Sequence, residues 1–593
     1  MTLAQVRRLA TFAPPLLVGL FALPFILRQN SWWEWGNAYW LLERQTAHVS
    51  AHGVPTLFLH NFSGAYNPFY VFYSGFTLSL LAYPAALFGT WPVFVASVVA
   101  AMVGGYLGIW WTARNLGLSP QLAILPALTF ATTPYVLSEI YGRGAWAELV
   151  AVNAAAVALG AVTALLWRPG PERSRGPALA ALVAAGALVA GTHNITFMLS
   201  AILLPLVVLA LLPLRARPGQ PPLLPELARA ASAVALGVGL TAAWLLPNLW
   251  FGPSTAIAHP STFSNQTFDQ TFDLLKITNL FSPLPRIPDA FEGRWLYAQA
   301  PALAAVWSLL AIAAIVWLRR RNPNRVLASL GGLVVLGITL VVLIVNSSWW
   351  TSFPTLIQAV QFSYRLIPYL TIVVALIAII GLTTLAGQTG RWMVGALIAI
   401  VAVQVGAGAL IVVHSKAGAS QAVGLARHGD LTVKSEPASF AAKGLVVQLQ
   451  FRVINDRIGD APNQPPAQLH DINLITSDTG NFEGVGSVGD RMLVPVVWSR
   501  FVQVTGDAKI DGRDELGRSI LAVTDTDAQG RWKATVQAAH PWQLTVGRLI
   551  SLLSALAIAV LGLFTLRRRR RASPPPVADT DHAANRLPPA VRV

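Results

Sequence analysis

The sequence contains no cysteine, and charged residues make up only 11% of its 593 residues. The absence of cysteine excludes disulfides, thiol catalysis and metal sites built on cysteine. Soluble globular domains carry about 25% charged residues. The shortage of charge therefore excludes a water-soluble multidomain enzyme.

Hydrophobic residues make up 54% of the sequence, and the mean hydropathy is +0.55. They are concentrated in runs of Ala, Leu, Val and Ile, each close to the roughly 20 residues that cross a bilayer as a helix. The runs lie at residues 9–27, 67–89, 91–112, 121–138, 148–167, 178–192, 197–214, 229–250, 300–318, 327–346, 366–387, 392–413 and 543–565. This pattern predicts a polytopic α-helical membrane protein with about 12–13 apolar segments.

The formal net charge is +16, from 42 lysines and arginines against 26 acidic residues. The basic residues stand beside apolar runs, as at 319–321 and 567–571. Basic residues next to membrane spans mark the cytoplasmic side. The positive charge therefore indicates orientation, and no nucleic-acid partner is expected.

The basic connectors give a topology for a multi-pass protein of the cell membrane. We assign to the cytoplasm the connectors 168–176, 215–217, 319–325, 391 and 567–571. We count the spans between these connectors and take the basic N-terminus as cytoplasmic. The outer regions are then 28–66, 251–298, 347–364 and 414–542. Thirteen segments cannot join two cytoplasmic termini, because an even number is needed. We therefore predict that one of three apolar stretches within 67–138 enters the membrane without crossing it, and the sequence leaves open which one.

Residues 1–413 are predicted to form the membrane domain, with 28–66 as a long first outer loop. Within this loop, the stretch 37–52 carries apolar residues such as Tyr39 at helical spacing, with Arg44 on another face. The spacing predicts an amphipathic helix that lies on the outer membrane surface.

Residues 414–542 differ in character from the rest of the chain. Charged residues, Asp-Gly and Thr-Gly pairs, and alternating runs at 445–453 and 533–538 indicate strands joined by turns. We predict an extracytoplasmic β-sandwich domain, followed by a final transmembrane helix at 543–566. The basic, Pro-rich tail at 567–593 is predicted to be disordered in the cytoplasm.

Four polar clusters fall on the outer side in this topology. Charges within or beside membrane spans are costly, so they indicate function. The clusters are Glu34 with Asn37, Arg143 with Glu148, His193 with Asn194, and Gln361 with Arg365. Together they predict a cavity at the membrane–water boundary.

The residue types in these clusters suit a lipid with an anionic headgroup. Arg143 and Arg365 are permanently charged, forked donors that match phosphate oxygens. Glu34 or Glu148 could accept a proton from an incoming hydroxyl, as a general base must. A lipid phosphate would then lie at this depth while its tail stays in the bilayer.

The same residues also have purely structural interpretations. An interfacial arginine often extends to lipid headgroups. Glu148 can cap the start of a helix or pair with Arg143, and His193-Asn194 can form a polar turn. His48 and His52 lack the glutamate of a zinc peptidase motif, because Val49 follows the first histidine. No metal site or cofactor is expected, although dependence on a divalent metal is left open.

Three stretches follow each other in an order that resembles a known class. The first is 37–73, with Gly53-Val54-Pro55 and Tyr66-Asn67-Pro68. The others are Arg143-Gly144-Ala145-Trp146-Ala147-Glu148 and Gln361-Phe362-Ser363-Tyr364-Arg365. This order resembles the GT-C class of membrane glycosyltransferases. It is most similar to bacterial YfhO-type proteins and to the membrane domain called 6-pyruvoyl-tetrahydropterin-synthase-related, and the outer β domain with its closing helix resembles the C-terminal part of YfhO-type proteins.

The resemblance implies a polyprenyl-phosphate-linked sugar donor, a glycan or lipid acceptor of the cell envelope, and an acidic catalytic residue in the first outer loop. Asn37 stands where the family pattern has aspartate, and an amide cannot act as a base. Glu34 lies about one helical turn earlier and can replace it. The resemblance also implies that Tyr66, in the family's Tyr-Pro-rich entry to the next span, contacts the substrate.

Two functions remain open at this point. The first is a transferase, in which Glu34, or else Glu148, deprotonates the acceptor while Arg143 and Arg365 hold the donor phosphate. The second is a non-catalytic protein that binds, transports or helps to assemble a lipid-linked glycan.

Overall fold

The computed structural model describes residues 14–22, 33–57, 59–60, 66–67, 69–167, 175–215, 220–252, 275–286, 297–319, 323–346, 349–354, 357, 360, 362–385, 391–414, 481–497, 501–513 and 518–571. Within these ranges the chain is mostly helical, and a β domain lies between the last two long helices. The prediction of a polytopic helical membrane protein with a β domain is confirmed.

Nine helices in the described ranges are long and apolar enough to cross a membrane. They are α4 (Thr90–Asn115), α7 (Trp146–Trp167), α8 (Arg175–Thr192), α9 (Asn194–Leu211, continued by a 3-10 turn to Arg215), α10 (Leu223–Leu240), α14 (Asn324–Val345), α15 (Ile367–Leu385, preceded by a 3-10 turn from Ser363), α16 (Arg391–His414) and α17 (Trp542–Arg571).

The other helices, apart from Trp33–His52 with its 20 residues, have 16 residues or fewer. They are α1 (Trp33–His52), α2 (Phe69–Phe72), α3 (Gly75–Phe88), α5 (Ile124–Ala131), α6 (Pro134–Tyr141), α11 (Ala242–Phe251), α12 (Ile277–Leu280) and α13 (Ala302–Trp317). Helix α15 is almost entirely buried at the centre of the bundle, whereas α17 exposes most of its apolar surface, as a helix in contact with lipid does.

Helices α4 and α7 approach each other closely because glycines line the contact. A methyl group on Gly108 would lie 2.4 Å from the backbone carbon of Ala156, and one on Gly105 would overlap the amide of Asn153. Small residues at such spacing let the backbones of membrane helices come together. This contact fixes the position of α7, which carries Glu148 in its first turn.

The apolar run 121–138 was predicted as one segment, and this prediction is wrong in its details. The chain forms two short helices, α5 and α6, which are separated at Thr132-Thr133. Both threonine hydroxyls donate to the carbonyls four residues earlier, each at 2.8 Å. Pro134 then starts α6, because proline is favoured at the first position of a helix. Hydropathy alone does not detect such a break.

One further segment differs from its predicted bounds. The run 229–250 belongs to α10, which begins at Leu223, and to α11, which begins after a break at Thr241. Of the three stretches within 67–138, only α4 has the length of a span. Which stretch fails to cross therefore stays a prediction.

Helix α1 was expected to lie on the membrane surface, but it packs into the protein. Trp40, Leu41 and Leu42 are all buried, and the Tyr70 hydroxyl donates to the Leu41 carbonyl at 2.7 Å. Arg44 lies on the exposed face, as the spacing predicted. The apolar face of the helix is thus covered by neighbouring helices, which the periodicity of one segment cannot show.

The β domain contains two sheets. Its strands are β1 (Leu59–His60), β2 (Tyr66–Asn67), β3 (Asn481–Val485), β4 (Arg491–Val497), β5 (Val502–Gly506), β6 (Ala508–Arg513), β7 (Arg518–Val523) and β8 (Arg531–Ala538). The strand orders are β1-β2-β4-β7-β6 and β3-β8-β5. The predicted strand at 533–538 lies in β8, whereas the one at 445–453 lies outside the described residues.

The chain between α1 and α2 contributes two strands to this domain, which the sequence did not reveal. Strand β2 pairs in parallel with β4, with Tyr66 opposite Val496. The loop and the β domain must therefore lie on the same side of the membrane, in agreement with the relative placement predicted from the basic connectors.

Candidate functional site: a buried arginine–glutamate cluster

Glu148 stands at the centre of a buried group of polar side chains. One of its oxygens, Oε2, lies 2.9 Å from an Arg143 guanidinium nitrogen and 3.4 Å from Arg365 Nε. Its other oxygen, Oε1, accepts a hydrogen bond of 2.6 Å from the Tyr135 hydroxyl. The Glu148 side chain is 1% exposed and that of Arg365 is 6% exposed, so these charges interact with little screening by water.

The chain positions Arg143 and Glu148 through a tight turn. Gly144 adopts a positive φ of 75°, which favours glycine, and its N–H donates to the Ser138 carbonyl. Helix α7 then starts at Trp146, so Glu148 falls in its first turn. A carboxylate is stabilised there by the helix dipole.

Arg365 is held by the segment that precedes α15. One guanidinium nitrogen donates to the Val360 carbonyl at 2.7 Å, and the guanidinium carbon lies 5.1 Å from the centre of the Phe362 ring. Phe362 stacks on Tyr364 at 5.0 Å, and Arg143 lies 5.7 Å from the centre of the Tyr364 ring. Each arginine therefore contacts one ring of a stacked aromatic pair, which restricts its orientation.

His193 lies between α8 and α9 and faces the same cluster. Its imidazole is 3% exposed, and burial lowers the pKa of His193 to about 3. The ring is therefore neutral near pH 7. Counted by themselves, Arg143, Arg365, Glu148 and the neutral His193 carry a net charge of +1, and the buried Glu139 acts on Tyr135 beside them.

The cluster lies at the end of the bundle that faces the β domain. Helix α7 begins at the cluster and ends at Trp167, at the opposite end of the bundle. Helix α9 begins beside His193 and also ends there, because Arg215 Nε donates to the Leu166 carbonyl. The next helices return to Phe251, whose ring lies 5.1 Å from that of Phe501 in the β domain.

The structure brings together four of the residues predicted for the site, namely Arg143, Glu148, His193 and Arg365. Asn194 is the first residue of α9, next to His193. For Glu34 and Asn37 in α1 and for Tyr66 in β2 only the backbone is described, and Gln361 lies outside the described residues. Their predicted roles remain predictions.

The contacts of Glu148 weigh against its predicted role as an alternative general base, and that role stays a prediction. Two guanidinium groups and the Tyr135 hydroxyl surround its carboxylate and favour the charged form. A carboxylate stabilised in this way is a poor proton acceptor. The structural interpretation, in which Glu148 pairs with Arg143, is the one that the contacts bear out.

Sequence reasoning missed Tyr135. This residue belongs to the apolar run 121–138 and is separated from Glu148 by thirteen positions. Only the break between α5 and α6 turns it toward the cluster. A tyrosine within an apolar run gives no signal of such a role.

Within the described residues, no group of three or more histidines, aspartates or glutamates is placed to hold a metal ion. His48 and His52 stack on each other at 4.3 Å on the outer part of α1. Burial lowers the pKa of His48, and the neighbouring His52 lowers it further.

No family model matches the sequence, and no curated protein matches it. Among solved structures, two crystal structures of the oligosaccharyltransferase from Archaeoglobus fulgidus are similar to the chain at 13% identity. The apo form gives a TM-score of 0.39 over 78% of this chain and 62% of that chain. The complex with zinc and sulfate gives 0.33 over 77% and 59%. The chain thus spans about three fifths of the length of these structures, and a similarity at this level assigns no reaction.

Proposed function

We propose that the chain is a membrane glycosyltransferase of the GT-C class and is related to the YfhO-type proteins. It would move a sugar from a polyprenyl-phosphate carrier to a glycan or lipid of the cell envelope, on the outer face of the membrane. The observation that carries the proposal is the buried cluster of Arg143, Arg365 and Glu148 at one end of a helical membrane domain.

The net charge of this cluster suits an anionic ligand. Arg143 and Arg365 place two guanidinium groups beside the single carboxylate of Glu148. An anion that reaches both guanidinium groups would make charge-assisted hydrogen bonds with them. A lipid phosphate is such an anion, because its headgroup lies at the end of the membrane spans while its chain stays among the apolar helices.

The proposed base is Glu34. Three aromatic side chains connect its helix to the start of α7: Tyr39 contacts Phe94 at 5.6 Å, and Phe94 stacks on Trp146 at 5.8 Å. Glu34 is in the first turn of α1, five residues before Tyr39. This packing supports a location of Glu34 at the same end of the bundle as the arginines. Asn37 has no group that can take a proton at neutral pH.

A second function, binding without catalysis, is favoured by one specific observation. Glu148, the carboxylate closest to the arginines in the described part of the chain, is engaged by two guanidinium groups and a hydroxyl. If Glu34 does not reach the ligand, the cluster would hold a lipid-linked glycan without transferring its sugar.

Arg143→Ala and Arg365→Ala should each weaken the binding of polyprenyl phosphate by about 10- to 100-fold, because each removes a charge-assisted hydrogen bond. Binding can be measured with the purified protein in nanodiscs of uncharged lipid. The matched control is Arg229→Ala, since Arg229 also pairs with a buried glutamate, Glu226, but belongs to α10. Equal affinity in all three variants and the unchanged protein would contradict a phosphate site at the cluster.

Glu34→Gln should reduce sugar transfer by about 100-fold or more, because general base catalysis contributes factors of about 10²–10⁴. Polyprenyl phosphate should still bind with unchanged affinity, and the thermal unfolding midpoint should not change. Transfer can be followed with radiolabelled polyprenyl-phosphate sugars and extracted envelope acceptors. Unchanged turnover in the variant would refute the role of Glu34, whereas lipid binding by the unchanged protein without any transfer would favour the non-catalytic function.

A further inference from the structure

We infer that His193 serves the ligand as a neutral hydrogen-bond donor through its Nε2–H group, while its other nitrogen caps helix α9. This inference rests on the proposed phosphate site and adds a third contact to the two arginines. It also excludes His193 as a proton acceptor in the reaction.

The hydrogen bonds of the ring determine which nitrogen carries the proton. The backbone N–H of Thr196 donates to His193 Nδ1 at 3.3 Å, and a backbone N–H can only donate. Nδ1 must therefore present a lone pair. The neutral imidazole has one proton, which consequently resides on Nε2. The Thr196 hydroxyl, 2.7 Å from Nδ1, then donates to the same lone pair in a three-centre hydrogen bond.

The opposite edge of the ring is available to a ligand. Among the described residues, no hydrogen-bond partner is found for His193 Nε2, although the residue is 3% exposed. The ring lies near Arg143, Glu148 and Arg365, whose charges all act on it electrostatically. The Tyr73 ring meets it edge-on at 6.2 Å. An N–H beside an anion site is a natural third donor for a phosphate oxygen, because hydrogen bonds to a charged acceptor are strong.

A chain of contacts fixes the imidazole relative to Arg365. The Tyr369 hydroxyl lies 3.1 Å from the Thr196 carbonyl and 2.8 Å from the Ser200 hydroxyl. Tyr369 is four residues after Arg365, so the 3-10 turn that carries the arginine continues directly into the helix that holds the first turn of α9. Such supporting contacts place donors before the ligand arrives.

The charge state agrees with this role. A protonated His193 would add a third positive charge beside Arg143 and Arg365, and it would lose the two donors to Nδ1. Glu148 is the only carboxylate that acts on the ring among the described residues, and both arginines oppose its effect. The imidazole thus contributes a dipole, not a charge.

Two substitutions separate the cap from the donor. His193→Asn keeps a good helix cap, because asparagine is a preferred N-cap residue, but it lacks a donor at the position of Nε2. His193→Gln places an amide N–H near that position and caps poorly. We expect His193→Asn to weaken the binding of polyprenyl phosphate in uncharged nanodiscs by about 10-fold, with an unchanged thermal unfolding midpoint. His193→Gln should retain affinity within about threefold of the unchanged protein.

The pH dependence provides a second measurement. The unchanged protein and His193→Gln should show the same change of affinity between pH 5 and pH 8, because any titration of the probe affects both equally. A selective increase in the affinity of the unchanged protein toward pH 5 would identify a cationic histidine and overturn the inference.

The outcomes distinguish this inference from the proposed function. Loss of affinity in Arg143→Ala and Arg365→Ala, with full affinity in His193→Asn, would overturn the role of His193 and leave the phosphate site intact. Equal losses in His193→Asn and His193→Gln would also contradict a donor role. Full affinity in both arginine variants would overturn the phosphate site itself.

Discussion

Replacing Glu148 with alanine is expected to lower the free energy of unfolding by about 3–5 kcal/mol, because removal of one partner from a buried ion pair leaves an uncompensated charge. Here it leaves two. Arg143 and Arg365 both contact the same carboxylate oxygen, so without it their guanidinium groups repel each other. The Tyr135 hydroxyl loses its acceptor as well.

The effect of Glu148→Ala can be measured by titration of the purified protein with SDS in mixed micelles. Glu148→Gln should give a smaller loss, because the amide oxygen can still accept from Tyr135. The control is Glu483→Ala, since the pair between Glu483 and Lys533 is mostly exposed and such pairs contribute little. A loss below about 1 kcal/mol in Glu148→Ala would show that the cluster is hydrated or arranged differently.

The second large effect is expected for Gly108→Ala at the contact between α4 and α7. The added methyl group would lie 2.4 Å from the Ala156 carbonyl carbon and 2.6 Å from the Val157 nitrogen. Both are backbone atoms, so the helices must separate. Such overpacking costs about 1–3 kcal/mol, and sometimes more. Because α7 carries Glu148, the binding of polyprenyl phosphate should weaken together with stability.

Gly331→Ala is the matched control for Gly108→Ala. Gly331 also lies within a membrane helix, α14, and nothing stands within 4 Å of an added methyl group. Alanine has the higher helix propensity, by about 1 kcal/mol. Gly331→Ala should therefore leave stability equal or slightly higher in the same SDS titration. Equal effects of the two substitutions would disprove the close approach of α4 and α7.

The chemistry of the cluster could be predicted from sequence more readily than its geometry. Arg143, Glu148 and Arg365 stand out because charged residues beside apolar runs are rare and costly. Their placement on one side follows from counting spans between basic connectors. The pairing that makes Glu148 a structural anion depends on distances between α7 and the start of α15, and no local pattern encodes such distances.

The fold shows the same division between local and tertiary information. Long helices such as α4 and α14 were predicted because about 20 apolar residues suffice to define a span. The break at Thr132-Thr133 depends on neighbours, since Gln404 on α16 donates to the Thr129 carbonyl at 2.7 Å. The burial of α1 likewise depends on helices that cover it. Strands β1 and β2 have two residues each, too few for any alternating pattern.

The pairing of β2 with β4 has a consequence for biogenesis. About 430 residues separate Tyr66 from Val496, so the ribosome completes almost the whole set of membrane helices before the second strand exists. At about 5–20 residues per second, translation of this interval takes roughly 20–90 seconds. Throughout that time the N-terminal hairpin has no strand to join. The segment before Tyr73, whose ring contacts His193, is thus fixed in place late, by a strand that is synthesised after nearly all of the membrane helices.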